Sequence, residues 1–234
     1  MYRHDLVYLH PDEAFNIVNA SLPSSVTQAI DKMIVAKQPF TICRQSTQYI
    51  SKVATSYVEN NRKYRLALLL SMAPKVVTRP LALCTLIPSL PEQIQQQTQD
   101  FIDHCIGFNT EVYAYGSFAN QYLTNLAFVT PSSDLDILIV VNDMDRLIDI
   151  LLEIQHFKNF AESKMSLRID GEVRLNDYQD VSFNELIHAI LFDISTVIVK
   201  TLYEVELQTI ATLLGWNTDE YERFFRAYQR NFVF

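Results

Sequence analysis

The stretch Asp134-Leu135-Asp136-Ile137-Leu138-Ile139-Val140-Val141 leaves this chain few folds to choose from. Its apolar tail reads as a strand buried on both faces, which puts it inside a sheet with layers on each side. Strand side chains alternate, so Asp134 and Asp136 project to one side while Leu135 and Ile137 enter the core. Two neighbouring carboxylates repel each other unless a cation joins them, and a carboxylate inside a strand needs a partner. Pro131-Ser132-Ser133 is turn-forming, so the aspartates could instead be edge or turn residues. The apolar continuation favours metal ligation. Oxygen-only ligands of this kind suit Mg²⁺.

Upstream, Tyr115-Gly116-Ser117 closes an apolar run and opens a helix-like stretch. Gly116 lets the backbone approach a ligand closely, and Ser117 begins a helix whose free N–H groups attract phosphate. A plain helix cap is the competing reading of Ser117. A phosphate cradle followed by paired aspartates outlines a phosphoryl- or nucleotidyl-transfer site.

Periodicity and turn residues predict a short strand within 1–10, helices over 12–20 and 24–37, and strands over 39–44 and 65–72. Pro74, Pro80, Pro88 and Pro91 disfavour a long regular element, and the domain boundary is expected there. Beyond it come a helix over 92–107, a strand over 111–115, a helix over 117–126, a strand over 134–141 and a helix over 144–157. A strand pair across Asp170-Gly171, a helix over 182–191, a strand over 195–200 and terminal helices from about 204 follow. The fold class is α/β (α+β): a small N-terminal α/β domain, residues 1–80, then a domain over 81–234 with a mixed sheet flanked by helices.

Asp170 is a candidate third carboxylate, against which stands the Asp-Gly hairpin turn. Arg168 shares its strand face, as a phosphate contact or as the carboxylate's ion-pair partner. Lys200 ends a β-branched run and points toward a strand end where ligands collect; a solvated strand end is the alternative. His4 and Asp5 read as structural. No histidine pairs with cysteine at zinc-ligand spacing, and Gly116-Ser117-Phe118 lacks the form of a nucleophile elbow. Cys43, Cys84 and Cys105 read as buried reduced thiols.

Four segments together carry a family resemblance. They are Arg3-His4-Asp5-Leu6-Val7-Tyr8-Leu9, Tyr115-Gly116-Ser117-Phe118-Ala119, Thr130-Pro131-Ser132-Ser133-Asp134-Leu135-Asp136 and Asp170-Gly171-Glu172-Val173. In this order they resemble the malonate decarboxylase holo-acyl carrier protein synthases (phosphoribosyl-dephospho-CoA transferases), within the DNA polymerase β-like nucleotidyltransferases. The resemblance spans nearly the whole chain. It implies transfer of a prosthetic group from 2'-(5''-triphosphoribosyl)-3'-dephospho-CoA to a serine of the acyl carrier subunit of malonate decarboxylase, releasing diphosphate. On that model Asp134, Asp136 and Asp170 are catalytic and hold two Mg²⁺, while Gly116, Ser117, Arg168 and Lys200 bind donor phosphates. The N-terminal domain would bind substrate or carrier. Two other classes share the motif: a nucleotidyltransferase using ATP on a small molecule, RNA or protein, and a non-catalytic nucleotide-binding module.

A net charge of −8 argues against nucleic-acid binding, and no apolar window approaches the roughly 20 residues that span a bilayer. With no secretory signal pattern either, the expected location is cytoplasmic. The charge is uneven: residues 32–91 hold nine basic residues against Glu59 alone. A local positive face can recruit an acidic acyl carrier protein, with Arg44, Arg62, Lys63, Arg65, Lys75 and Arg79 as candidates. The same residues could form part of the donor phosphate site, or be ordinary solvated surface.

Overall fold

A computed structural model describes the chain except residues 19–21, 47–50, 61, 177–178, 193, 216, 218, 221, 224–225 and 227–234. It is an α+β protein of two compact units. The first unit comprises residues 1–81, 115–132 and 202–204, and the second takes the rest.

In the first unit the elements are β1 (Leu6–Val7), β2 (Phe15–Ile17), α1 (Ser24–Val35), β3 (Phe40–Ile42), β4 (Ser51–Glu59), β5 (Arg62–Leu70) and β6 (Val77–Thr78). The strands form a sheet of order β2-β5-β4-β3-β1-β6 whose described pairings are antiparallel. Helix α1 forms because Val26, Ile30, Met33 and Ile34 fall on one face at helical spacing. That face joins Phe40, Ile42, Val53, Leu66, Leu68 and Leu70 in the core.

Two expectations fail here. The helix over 12–20 is replaced, within its described part, by β2, which pairs with Leu68–Leu70. Phe15 and Ile17, two apart, both pack on the core, and that two-residue period is what a strand can use. The long strand β4 was not anticipated because Ser51-Lys52-Val53-Ala54-Thr55-Ser56 is largely polar. Of β4 only Val53 is fully buried, and nine paired positions with β5 hold the strand in place.

The chain continues with β7 (Leu81–Ala82), α2 (Leu83–Leu86), α3 (Glu92–Gly107), β8 (Thr110–Tyr115) and α4 (Gly116–Thr124), the last belonging to the first unit. Then come β9 (Leu135–Val141), α5 (Leu147–Met165), β10 (Ile169–Leu175), β11 (Gln179–Ser182), α6 (Phe183–Leu191), β12 (Thr196–Lys200), β13 (Val205–Thr209) and α7 (Ile210–Leu214). Strands β7–β13 form a mixed sheet in reverse chain order, β13 to β7. Strand β9 runs parallel to β10, and α5 supplies the crossover such a pair requires. Every residue of β9 except Asp136 is buried.

The expected strand pair across Asp170-Gly171 is not a turn. Both residues lie inside β10, and the hairpin comes later, between β10 and β11. Gly171 has φ +150°, and a Cβ there would lie 1.9 Å from the Ile137 carbonyl oxygen. The glycine therefore serves close approach of two strand backbones rather than a reversal. Past residue 204 the chain forms β13 before a helix, where helices alone were expected. The cysteines are not uniformly buried either, since Cys84 is exposed.

Candidate active site

The second unit assembles the carboxylates through its sheet. Parallel pairing sets Leu135 opposite Ile169, Asp136 opposite Asp170 and Ile137 opposite Gly171. Residues in register on adjacent parallel strands share a face, so Asp136 and Asp170 stand side by side at the strand spacing of about 4.8 Å. Asp134 lies two residues upstream on the same alternation, at the entrance to β9. Its Oδ1 accepts from Arg168 Nε at 2.7 Å, and Leu135 N donates to the Arg168 carbonyl at 3.0 Å. The Arg168–Asp134 pair is largely exposed, so it orients the two side chains more than it stabilises the fold.

Asp170 is held more firmly. Its Oδ1 accepts from its neighbour's amide, Gly171 N, at 2.8 Å and from Asn184 Nδ2 at 2.8 Å. The Asn184 amide oxygen in turn accepts from Lys158 Nζ. Burial pushes the Lys158 ammonium below its ordinary pKa, while the charges of Asp170 and Glu162 oppose that shift. Asp134, Lys158, Glu162, Arg168, Asp170 and Asn184 line a cavity of about 260 Å³. Three carboxylates and two cations around one polar cavity suit an anionic substrate together with a hard cation.

Lys200 is engaged elsewhere. It pairs with the buried Glu172 of β10 at 2.8 Å, next to the buried bidentate pair Arg174–Asp180 at 2.6 and 2.9 Å. That explains why a lysine ends an apolar strand: a buried carboxylate needs it. Lys158 and Asn184 were missed because nothing local marks them. Asn184 reaches Asp170 from α6 and Lys158 reaches Asn184 from α5, and no short motif encodes such a tertiary meeting.

In the first unit Gly116 has φ +70°, which an L side chain adopts only with strain, so glycine is required where β8 turns into α4. Ser117 does not cap this helix. The cap position is Tyr115, without a side-chain cap bond, and Ser117 Oγ accepts instead from Lys63 Nζ at 3.2 Å. Lys63 also lies 5.6 Å from the centre of the Phe128 ring. Strand alternation puts Lys63 and Arg65 on the sheet face opposite Leu66, Leu68 and Leu70. Arg44, Arg62, Arg65, Lys75 and Arg79 are exposed; Arg62 rests over Tyr64 and Arg79 over Tyr2. His4 stacks on Tyr115 at 4.1 Å, and Asp5 accepts from Tyr2 N at 2.7 Å, so the N-terminal stretch is built into the fold.

Residues 82–211, more than half of the chain, match the family model described as the phosphoribosyl-dephospho-CoA transferase MdcG C-terminal domain. This chain belongs to that family. It is a transferase, and its paired carboxylates lie inside the matched region. Two proteins named phosphoribosyl-dephospho-CoA transferase are similar to it over 187 residues, covering 78% of this chain and 84% of each relative. One, from Xanthomonas axonopodis pv. citri (strain 306), is 28% identical, and the other, from Xanthomonas euvesicatoria pv. vesicatoria (strain 85-10), is 26% identical. No solved structure matches the chain. No helix among the described residues of this transferase is long and apolar enough to cross a membrane.

Proposed function

We propose that this chain transfers the phosphoribosyl-dephospho-CoA group from its triphosphate donor to a serine of the acyl carrier subunit of malonate decarboxylase. The observation that carries the reading is the register pairing of Asp136 with Asp170, with Asp134 on the same strand face, in a chain of this family. Carboxylate oxygens are the donors Mg²⁺ takes, and Asp134, Asp136 and Asp170, which the β9–β10 register groups on one strand face, would hold it. When bound, the metal would neutralise charge on the attacking and departing oxygens.

The remaining work falls to the chain itself. The carrier serine hydroxyl attacks the innermost phosphorus of the donor; a P–O bond to serine forms and the bond to diphosphate breaks. Asp170 takes the hydroxyl proton, a role worth typically 10²–10⁴-fold. Arg168 contacts donor phosphate. Within the first unit Ser117, the first N–H groups of α4 and Lys63 bind donor phosphate, and Lys63 joins that set because its ammonium already reaches Ser117. The other exposed cations of the first unit recruit an acidic carrier, and we assign the first unit to substrate and carrier binding and the second to catalysis. No covalent enzyme intermediate is required, since positioning and electrostatics carry this class of reaction.

Mass spectrometry of the apo carrier after incubation with enzyme, Mg²⁺ and donor tests the proposal. The expected result is a mass gain equal to the phosphoribosyl-dephospho-CoA group with the triphosphoribosyl donor and none with ATP. A carrier modified from ATP alone would make the chain an ATP-dependent nucleotidyltransferase instead.

A further inference from the structure

We propose that Asn184 is the positioning residue of Asp170, acting as a spacer that holds the Lys158 ammonium one amide away from the carboxylate. The inference rests on the reading of Asp170 as a metal-ligating carboxylate.

Three elements meet at this amide. Asp170 comes from β10, Lys158 from α5, and Asn184 from the first turn of α6, whose Ser182 cap accepts from Glu185 N at 3.4 Å. The turn is anchored by the fully buried Phe183, and Lys158 Nζ lies 5.5 Å from the centre of that ring. Lysine can only donate and an ionised carboxylate can only accept, so the amide orientation is dictated: carbonyl toward Lys158, NH₂ toward Asp170. An ionised aspartate or a leucine at 184 cannot satisfy both partners.

The consequence falls on the two oxygens of Asp170. Gly171 N and Asn184 Nδ2 both converge on Oδ1, and among the described residues no hydrogen bond to Oδ2 is recorded. The side chain is thereby oriented with one oxygen engaged by neutral donors and the other presented to a ligand. Engagement by a neutral donor matters. Lys158 is half-buried in the same cavity as Asp170. Without the intervening amide its ammonium would be drawn onto Asp170, and a direct ion pair would compete with any cation for the carboxylate. The amide also passes on part of the lysine's influence, because hydrogen-bonded groups in series polarise one another.

The test is a Mn²⁺ titration of the whole enzyme by electron paramagnetic resonance, without donor or carrier. Asn184→Ala should weaken Mn²⁺ binding by roughly 10–100-fold, the usual cost of losing a partner one shell from a metal. Adding Lys158→Met to Asn184→Ala should recover part of that loss, since the competing ammonium is gone. In turnover, Asn184→Ala should lower kcat with little change in donor KM. Should Asn184→Ala fail to fold, Asn184→Leu, which offers neither donor nor acceptor, carries the same expectation. Wild-type Mn²⁺ affinity in the Asn184 variant, or a further loss on adding Lys158→Met, overturns the spacer role. Asp170→Asn in the same titration separates the two levels of argument. If it binds Mn²⁺ like wild type, the metal reading fails and the inference with it. If it loses Mn²⁺ while Asn184→Ala does not, the positioning role alone falls.

Discussion

The two units of this transferase fix their charged groups by opposite means. In the second, backbone pairing does the work: Asp136 and Asp170 are neighbours because β9 and β10 are in register, and a glycine lets those strands close up. In the first, Lys63 and Arg65 of β5 project from the sheet face opposite its core, while Arg62 lies exposed at the start of the strand over Tyr64. Charges set by a ladder have one geometry and can meet the demands of chemistry. Charges on long exposed side chains are adaptable and suit recruitment, where the field matters more than the pose. Lys63 stands between these cases, an exposed cation of β5 already drawn to the Ser117 hydroxyl.

The sharpest break of this comparison is at the carboxylates. Asp134→Asn, Asp136→Asn and Asp170→Asn should each reduce carrier modification by well over about 100-fold, since even partners one shell from a metal cost 10–100-fold. Thermal stability should hold or rise for Asp134→Asn and Asp136→Asn, because removing one charge relieves repulsion. Near wild-type turnover with Mg²⁺ in either would refute the assignment.

The next effect is structural. Gly171→Ala forces a Cβ into the Ile137 backbone at a φ that L residues avoid, and should cost about 1–3 kcal/mol or more in denaturant unfolding. Gly107→Ala, with nothing within 4 Å of the new Cβ, is the control and should fold normally. Equal stability of the two variants would mean that β9 and β10 do not approach as described.

Recruitment is the third level. Arg62→Glu with Arg65→Glu should raise the carrier KM and leave kcat near wild type, and added salt should slow the wild-type enzyme. Lys63→Ala should act on the donor KM instead. Salt-independent kinetics with an unaffected double variant would return these residues to ordinary surface.

The smallest expected effect lies outside both sites. Glu153 hydrogen-bonds His104 and raises its pKa above the ordinary 6.5. The pair's contribution to stability is therefore present below pH 6.5 and is lost as pH rises through the raised value. Glu153→Gln should flatten that dependence, checked by the His104 titration in NMR spectra.

Helices and strands with strong periodicity were legible from residues alone: α1, α3, β8 and β9 lie within a residue or two of expectation. So was the alternation that groups Asp134 with Asp136. What sequence could not yield was what depends on a partner strand. Asp-Gly at 170–171 is a turn signal locally, and only the approach of Ile137 makes it a strand interior. Strand β4 has little apolar pattern of its own, and β2 is a strand because β5 lies beside it. The support of Asp170 by Asn184 and Lys158 spans 26 residues between α5 and α6, with no local signature at either end.

The most direct test measures carrier modification by mass spectrometry over a range of carrier concentrations, for wild type, Asp136→Asn and the Arg62→Glu/Arg65→Glu variant. The account predicts that the arginine variant regains the wild-type rate at saturating carrier while Asp136→Asn stays inactive at every concentration. Recovery of Asp136→Asn by excess carrier, with the arginine variant inactive throughout, would contradict it.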